Sequence, residues 1–306
     1  MSSLKKSSSF FFFGFFMCLI GAVCFSTKAI FVKVAYRDTD ANAITLLALR
    51  MVFSLPFFLV SAYVTSNKTD NVKFTSAQWI KIAVIGCLGY YVSSLLDFLG
   101  LQYVTAGIER LILFVYPTMV LLISSLFFKE KIKPVQWLAV IITYAGLALA
   151  FAGEIDLNIQ QEENFFIGAL FIFICAITYA IYIVGSGQLI PVVGSVKFNS
   201  YAMSFACLGV LIHFFFANTQ SLFHLDTKVY VYSALMAIFS TVIPSYLVAE
   251  GIKRIGYDNA AIVGSVGPVS TIIQAYFFLQ EPIFALQIAG TVLILTGVIL
   301  IGKKGH

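Results

Sequence analysis

The sequence predicts an all-α integral membrane protein whose ten transmembrane helices form two inverted five-helix repeats. Three observations carry that prediction. First, 60% of the 306 residues are hydrophobic, only 11% are charged, and the mean hydropathy is +0.96. A soluble domain carries about 25% charged residues, and a chain of this length cannot hide so much apolar surface from water, so lipid has to be its solvent. Second, the apolar residues fall into ten segments, at 10–35, 41–63, 79–102, 107–128, 134–152, 165–187, 196–217, 228–252, 258–279 and 284–302. Each has roughly 19–26 residues, enough at ~1.5 Å per residue to cross ~30 Å of hydrocarbon with some tilt. Third, the second half repeats the first without a gap. Gly100, Pro117, Glu130, Gln136 and Gly146 recur 151 positions on as Gly251, Pro268, Glu281, Gln287 and Gly297. Cys24, Thr27 and Ala29 fall in the same register on Cys175, Thr178 and Ala180. A matched Gly is cheap in an apolar chain; a Glu and a Gln in the same register are not.

In the first segment, Lys5 and Lys6 precede a Phe10–Phe13 run, which resembles a secretory signal. The apolar stretch is longer than the usual 7–15 residues and no small-residue cleavage site follows, so it reads as a retained helix. Lys28 lies inside it, about two turns from the outer surface, where it can snorkel outward or lose its proton. The second segment holds Arg50 near the bilayer middle, a charge that needs a partner there. In the third, Gly86, Tyr90, Ser93, Ser94 and Asp97 recur every three to four residues and form one polar stripe. Such a stripe belongs on a cavity wall, with Asp97 as the leading proton carrier or, alternatively, an ion-pair partner for a nearby Lys or Arg. The fourth opens with Glu109 and Arg110, read as solvated rim residues, and carries Tyr116 beside Pro117. Proline inside a helix removes an i→i−4 hydrogen bond, so Pro117 and its equivalent Pro268 are read as kinks, either hinges or static bends.

Glu130 and Glu281 stand just before the fifth and tenth helices, where a carboxylate caps free N–H groups and opposes the helix dipole. Gly146 and Gly153, and likewise Gly290 and Gly297, put small residues on one helix stripe, a mark of close packing in lipid. The sixth segment carries a second polar stripe, Cys175, Tyr179, Tyr182 and Ser186. Its tyrosines, with Tyr90 and Tyr116, are candidates to stack on or hydrogen-bond a substrate. Glu250 precedes Lys253 and Arg254 by about one turn; it is either one half of a local ion pair or a proton carrier.

Basic residues set the orientation. With the N-terminus cytoplasmic, thirteen Lys and Arg lie on the inner side and four (Lys33, Arg37, Arg110, Lys228) on the outer, which places both termini in the cytoplasm. Five helices per repeat is an odd number, so the two halves enter the membrane from opposite sides and are inverted. The net charge of +5 comes from loops and does not point to nucleic acid. All five cysteines lie within apolar runs and the three histidines have no ligand spacing, so neither a disulfide framework, a metal nor a cofactor is expected.

The segments SSLFFKEKIKPVQWLAVIITYAGLAL and AYFFLQEPIFALQIAGTVLILTGVIL, each with a Pro in the preceding helix, resemble the EamA family of the drug/metabolite transporter superfamily. The resemblance spans nearly the whole chain, with one EamA-type repeat at 10–152 and a second at 165–302. It implies secondary transport, often export, through a cavity lined by helices one, three and four and by six, eight and nine. Pro282 stands where the first copy has Lys131, so the two turns are not alike.

The expected function is therefore movement of a small organic metabolite across the bacterial inner membrane by alternating access, without catalysis. Lys28, Arg50 and Asp97 together leave one positive charge, which suits a carboxylated cargo such as an amino acid. The repeat keeps turns and glycines but turns Arg50 into Tyr201 and Lys28 into Tyr179, so the site is asymmetric within a symmetric frame. Its structural alternative is an Arg50–Asp97 or Arg50–Glu109 ion pair that only locks helices together. A nucleotide-sugar or lipid-linked cargo, a membrane-embedded lipid enzyme and a membrane scaffold are the rival functions. The expected partners are the substrate and the bilayer, with protons and a second copy of the chain left open.

Overall fold

The computed structural model describes residues 8–67, 73–161, 164–217, 221–280 and 283–304. Among these the secondary structure is helical, without strands. The helices follow one another in the order of the apolar segments. They are α1 (Ser8–Asp38), α2 (Ala43–Ser66), α3 (Ser76–Gly100), α4 (Ala106–Phe128), α5 (Pro134–Gln161), α6 (Phe165–Val193), α7 (Ser195–Ala217), α8 (Thr227–Ile255), α9 (Tyr257–Leu279) and α10 (Ala285–Lys304).

Eight of them are long and apolar enough to cross a membrane. In α5 and α10 the described apolar stretches are shorter, Pro134–Ala150 and Ala285–Leu300, and cover only about 24–26 Å at ~1.5 Å per residue. Large apolar side chains face outward all round the bundle, among them Phe127 at 76% and Phe216 at 80% exposure. A surface of that kind is stable against hydrocarbon and not against water, so the chain is a multi-pass membrane protein.

Polar side chains start several helices. The Asn42 side chain accepts the Thr45 N–H at 2.8 Å, and Thr105 accepts the Ile108 N–H at 3.2 Å. At the start of α5 the capping contact comes from Gln136, whose Oε1 accepts the Lys133 N–H at 2.9 Å; Gln287 does the same for Phe284 at the start of α10. The capping foreseen for Glu130 thus has a different author in the chain: Glu130 itself is exposed, and Glu281 lies outside the described residues. Lys129 and Gln280 close α4 and α9 in the left-handed conformation, with φ of 55° and 58°.

Four helices are irregular, α3 and α8 at matching positions and α4 and α9 within one residue of matching. The ladder of α3 passes through a π turn at Cys87–Val92 and that of α8 through one at Ile238–Val242. Helix α4 breaks at Phe114 and Val115, and α9 at Gly264 and Ser265. Pro117 and Pro268 explain the breaks: each ring collides with the carbonyl four residues earlier, at Leu113 and Gly264, where the helix is interrupted.

Packing follows the glycines. Helix α5 lies so close to α10 that a Cβ on Gly146 would come within 2.7 Å of the Gly290 carbonyl oxygen, and one on Gly297 within 2.4 Å of Thr143 Oγ1. Helix α1 packs on α8 and α9, with Ser26 donating to the Gly267 carbonyl at 2.9 Å. Helix α3 packs on α6 and α7, where Gly86 and Gly89 admit Ala202 and Tyr182, and α2 packs on α7. Helices α1, α3, α4, α6, α8 and α9 thereby come to surround a central void.

Candidate functional site

The void is a cavity of about 100 Å³. Helical spacing decides what lines it: Cys18, Ala22, Phe25 and Lys28 on one face of α1, and Cys175, Tyr179 and Ile183 on one face of α6. Helix α3 contributes Gly89, Tyr90, Ser93 and Ser94, where its π turn re-aims the polar stripe; α8 contributes Ser240 and Thr241 from its own π turn. Arg50 enters from α2, and Arg110, Leu113 and Tyr116 from the first part of α4. Opposite them α9 offers small residues, Ala260, Ala261, Gly264 and Gly267. The Tyr116 hydroxyl donates across the gap to the Ala261 carbonyl at 2.9 Å, and a Cβ at 264 would stand 1.9 Å from that hydroxyl oxygen, so any larger residue there displaces the tyrosine.

Five of the seven proposed substrate-binding residues, Lys28, Arg50, Tyr90, Tyr116 and Tyr179, line this cavity. Tyr182 lies behind the wall, 1% exposed, its ring edge-on to Tyr90 with centroids 4.9 Å apart and 5.9 Å from Tyr179. Asp97 is also behind the wall and fully buried; it is held by Lys28, whose Nζ is 2.7 Å from Asp97 Oδ2. Lys28 therefore points into an ion pair and is not directed to the surface. Its second neighbour is Glu109, at 3.7 Å.

Glu109 and Arg110 depart from their reading as rim residues. Glu109 is 0% exposed and Arg110 7%. The amphipathic first turns of α4 face the bundle, where Arg110 Nε meets Glu109 Oε2 at 3.1 Å and Arg110 Nη2 donates to the Phe25 carbonyl at 3.0 Å. Two acids and two bases thus share one buried cluster between α1, α3 and α4.

Arg50 takes part in neither of the ion pairs considered for it. Its Nη2 donates to Ser94 Oγ at 2.8 Å, and its guanidinium lies 4.9 Å from the centroid of the Phe98 ring. Glu250 is at the far end of α8, 2.9 Å from Arg254 and 3.7 Å from Lys253, and accepts the Ser195 hydroxyl; it is not on the cavity wall. Sequence reasoning missed Arg110, Ser240 and Thr241. One signal was available for them. Lining residues pair off 151 positions apart: Lys28 with Tyr179, Gly89 with Ser240, Tyr90 with Thr241, Arg110 with Ala261, Leu113 with Gly264, and Tyr116 with Gly267.

Two stretches of the chain, residues 12–152 and 166–303, match the EamA-like transporter family. An uncharacterized transporter of Bacillus subtilis (strain 168), YcbK, is 31% identical over 284 residues, covering 90% of this chain and 88% of its own. An uncharacterized transporter of Synechocystis, sll1319, is 23% identical over 95% of this chain and 93% of its own. A protein crystal structure superposes with a TM-score of 0.72 over 96% of each chain at 16% identity, a likeness of fold.

Proposed function

This chain belongs to the EamA-like transporter family, and from that premise we propose that it is a secondary transporter carrying a small carboxylated metabolite across the bacterial inner membrane by alternating access. The observation that carries the cargo class is the cavity wall, where Lys28, Arg50 and Arg110 face a space bordered by Tyr90, Tyr116 and Tyr179. Guanidinium and ammonium groups grip a carboxylate, and tyrosines give its organic body stacking faces and hydroxyls. In this reading the chain crosses the membrane ten times as two inverted repeats, both termini are cytoplasmic, and export is the working direction. The pairing of lining residues in one register supports the inverted frame, as do the paired π turns and helix breaks. Switching sides exchanges the conformations of the two halves, and the breaks before Pro117 and Pro268 are the places where α4 and α9 can bend. The size of the cavity, about 100 Å³, favours a compact metabolite over a nucleotide sugar or a lipid-linked cargo.

The test is flux into proteoliposomes with a panel of carboxylated metabolites and their decarboxylated analogues, repeated with Arg50→Gln and accompanied by thermal stability. Carboxylate-dependent flux that Arg50→Gln abolishes in a protein of unchanged stability is the expected result. Lost stability with discrimination intact would make Arg50 a structural residue.

A further inference from the structure

The charged residues that line the cavity are Lys28, Arg50 and Arg110, all cations. The two nearby acids, Asp97 and Glu109, are fully buried behind them and are committed. Asp97 holds Lys28 at 2.7 Å, and Glu109 holds Arg110 at 3.1 Å with Lys28 at 3.7 Å. Arg50 has no acid among the described ion pairs. It has one neutral hydroxyl, Ser94, and the face of Phe98, and its Nε–H is buried without an acceptor. At formal charge, three cations and two carboxylates leave one positive charge, and Arg50, 2% exposed and set in the wall of the cavity, is the cation without an acid among the described ion pairs. A buried cation in the cavity wall with no acid among the described ion pairs lacks an anionic partner.

Resting on the transport reading above, we propose that the cargo is a small organic monoanion without an ammonium group, and that its carboxylate neutralises Arg50. A monoanion brings the site to zero net charge. An amino acid carries no net charge, so it leaves the excess in place and adds an ammonium to a wall whose described charges are all positive. An amine raises the excess to two, and a dicarboxylate reverses its sign. Like charges brought together in a site shielded from water are the means by which such a wall rejects the wrong solute. The body of the acid lies among Tyr90, Tyr116 and Tyr179, which line the same cavity.

Two series of probes test the charge rule on a constant skeleton: butanoate, 2-aminobutanoate and propylamine, then 3-phenylpropanoate, phenylalanine and 2-phenylethylamine. Equilibrium binding of the radiolabelled probes to the purified full chain is expected to rank the anion at least tenfold above the zwitterion in one or both series, with the amine weakest. Arg50→Gln removes the ranking, whereas Lys81→Gln, an exposed position outside the cavity, keeps it. The ranking of the unaltered protein decides the matter even if Arg50→Gln does not fold. A zwitterion or amine binding as tightly as the anion, or no anion binding in either series, overturns the proposal. The transport reading is judged separately by the metabolite panel: a protein that moves amino acids and no ammonium-free acid keeps that reading and loses this one.

Discussion

Four charged side chains from three helices meet inside the bundle, and their mutual pairing is what makes them tolerable. Lys28 and Asp97 stand 2.7 Å apart, with Asp97 fully enclosed. Removing one partner of a buried pair leaves an uncompensated charge and costs about 3–5 kcal/mol, whereas replacing both by neutral groups is often close to neutral. Glu109, 3.7 Å from Lys28, takes up part of the load when Asp97 is lost, so Asp97→Asn belongs near the lower end, about 3 kcal/mol. The expected outcome is that Asp97→Asn and Lys28→Gln each lower the unfolding midpoint and that the double variant is more stable than their sum by at least ~1 kcal/mol. Additivity within about 0.5 kcal/mol would mean the two side chains do not depend on each other. The sequence marks both residues as costly and gives their depth along α1 and α3. It does not give the azimuth of either helix, and for that reason Arg50 stood as the named partner for Asp97 where the structure has Lys28. For Glu109 and Arg110, closeness to a helix start suggested solvent, and only the packing of α4 against α1 and α6 turns them inward.

At the scale of the helix, what is legible depends on how local the cause is. Pro117 and Pro268 act on a carbonyl four residues away, so the breaks in α4 and α9 follow from the sequence alone. The close approach of α5 and α10 also follows, since glycines seven residues apart form a stripe whatever the partner. The π turns of α3 and α8 do not. One extra residue in a single turn barely disturbs an apolar period, and the reward for it is tertiary: it directs Tyr90 and Thr241 to the same cavity. The glycine stripe yields a sharp expectation. A Cβ on Gly290 would sit 2.4 Å from the Gly146 carbonyl oxygen and 2.7 Å from the Ala150 Cβ. The first of these is backbone and cannot rotate aside, so the helices have to separate. Gly290→Ala should therefore destabilise the protein by about 1–3 kcal/mol, as overpacking does, seen as a lower unfolding midpoint in detergent. An unchanged midpoint would mean that α5 and α10 are not held at this distance.

For the molecule as a whole, the two repeats supply the same positions and different chemistry. Of the lining pairs 151 residues apart, the first member includes Lys28, Tyr90, Arg110 and Tyr116, and the second includes Tyr179, Thr241, Ala261 and Gly267. The frame repeats while the charge stays in one half, so in the proposed alternating-access cycle the excess positive charge travels with the cavity. Loaded with a monoanion the site is neutral; empty, it carries the unneutralised Arg50 through a low-dielectric environment. A lone cation within the bilayer costs ~2.5–3.5 kcal/mol on the translocon scale, and at ~1.36 kcal/mol per tenfold in rate a barrier raised by that amount slows the empty return by well over tenfold. Exchange of one organic monoanion for another should then outrun net movement. In proteoliposomes loaded with labelled butanoate, efflux into butanoate is expected to exceed efflux into an osmotically matched sucrose medium without an organic anion by more than tenfold. Asp97→Asn, which adds a second uncompensated cation to the site, should slow both and widen the gap. Equal efflux into the two media, from a protein that binds butanoate, would show that the empty site returns as readily as the loaded one and that the charge on Arg50 is met by some group other than the cargo.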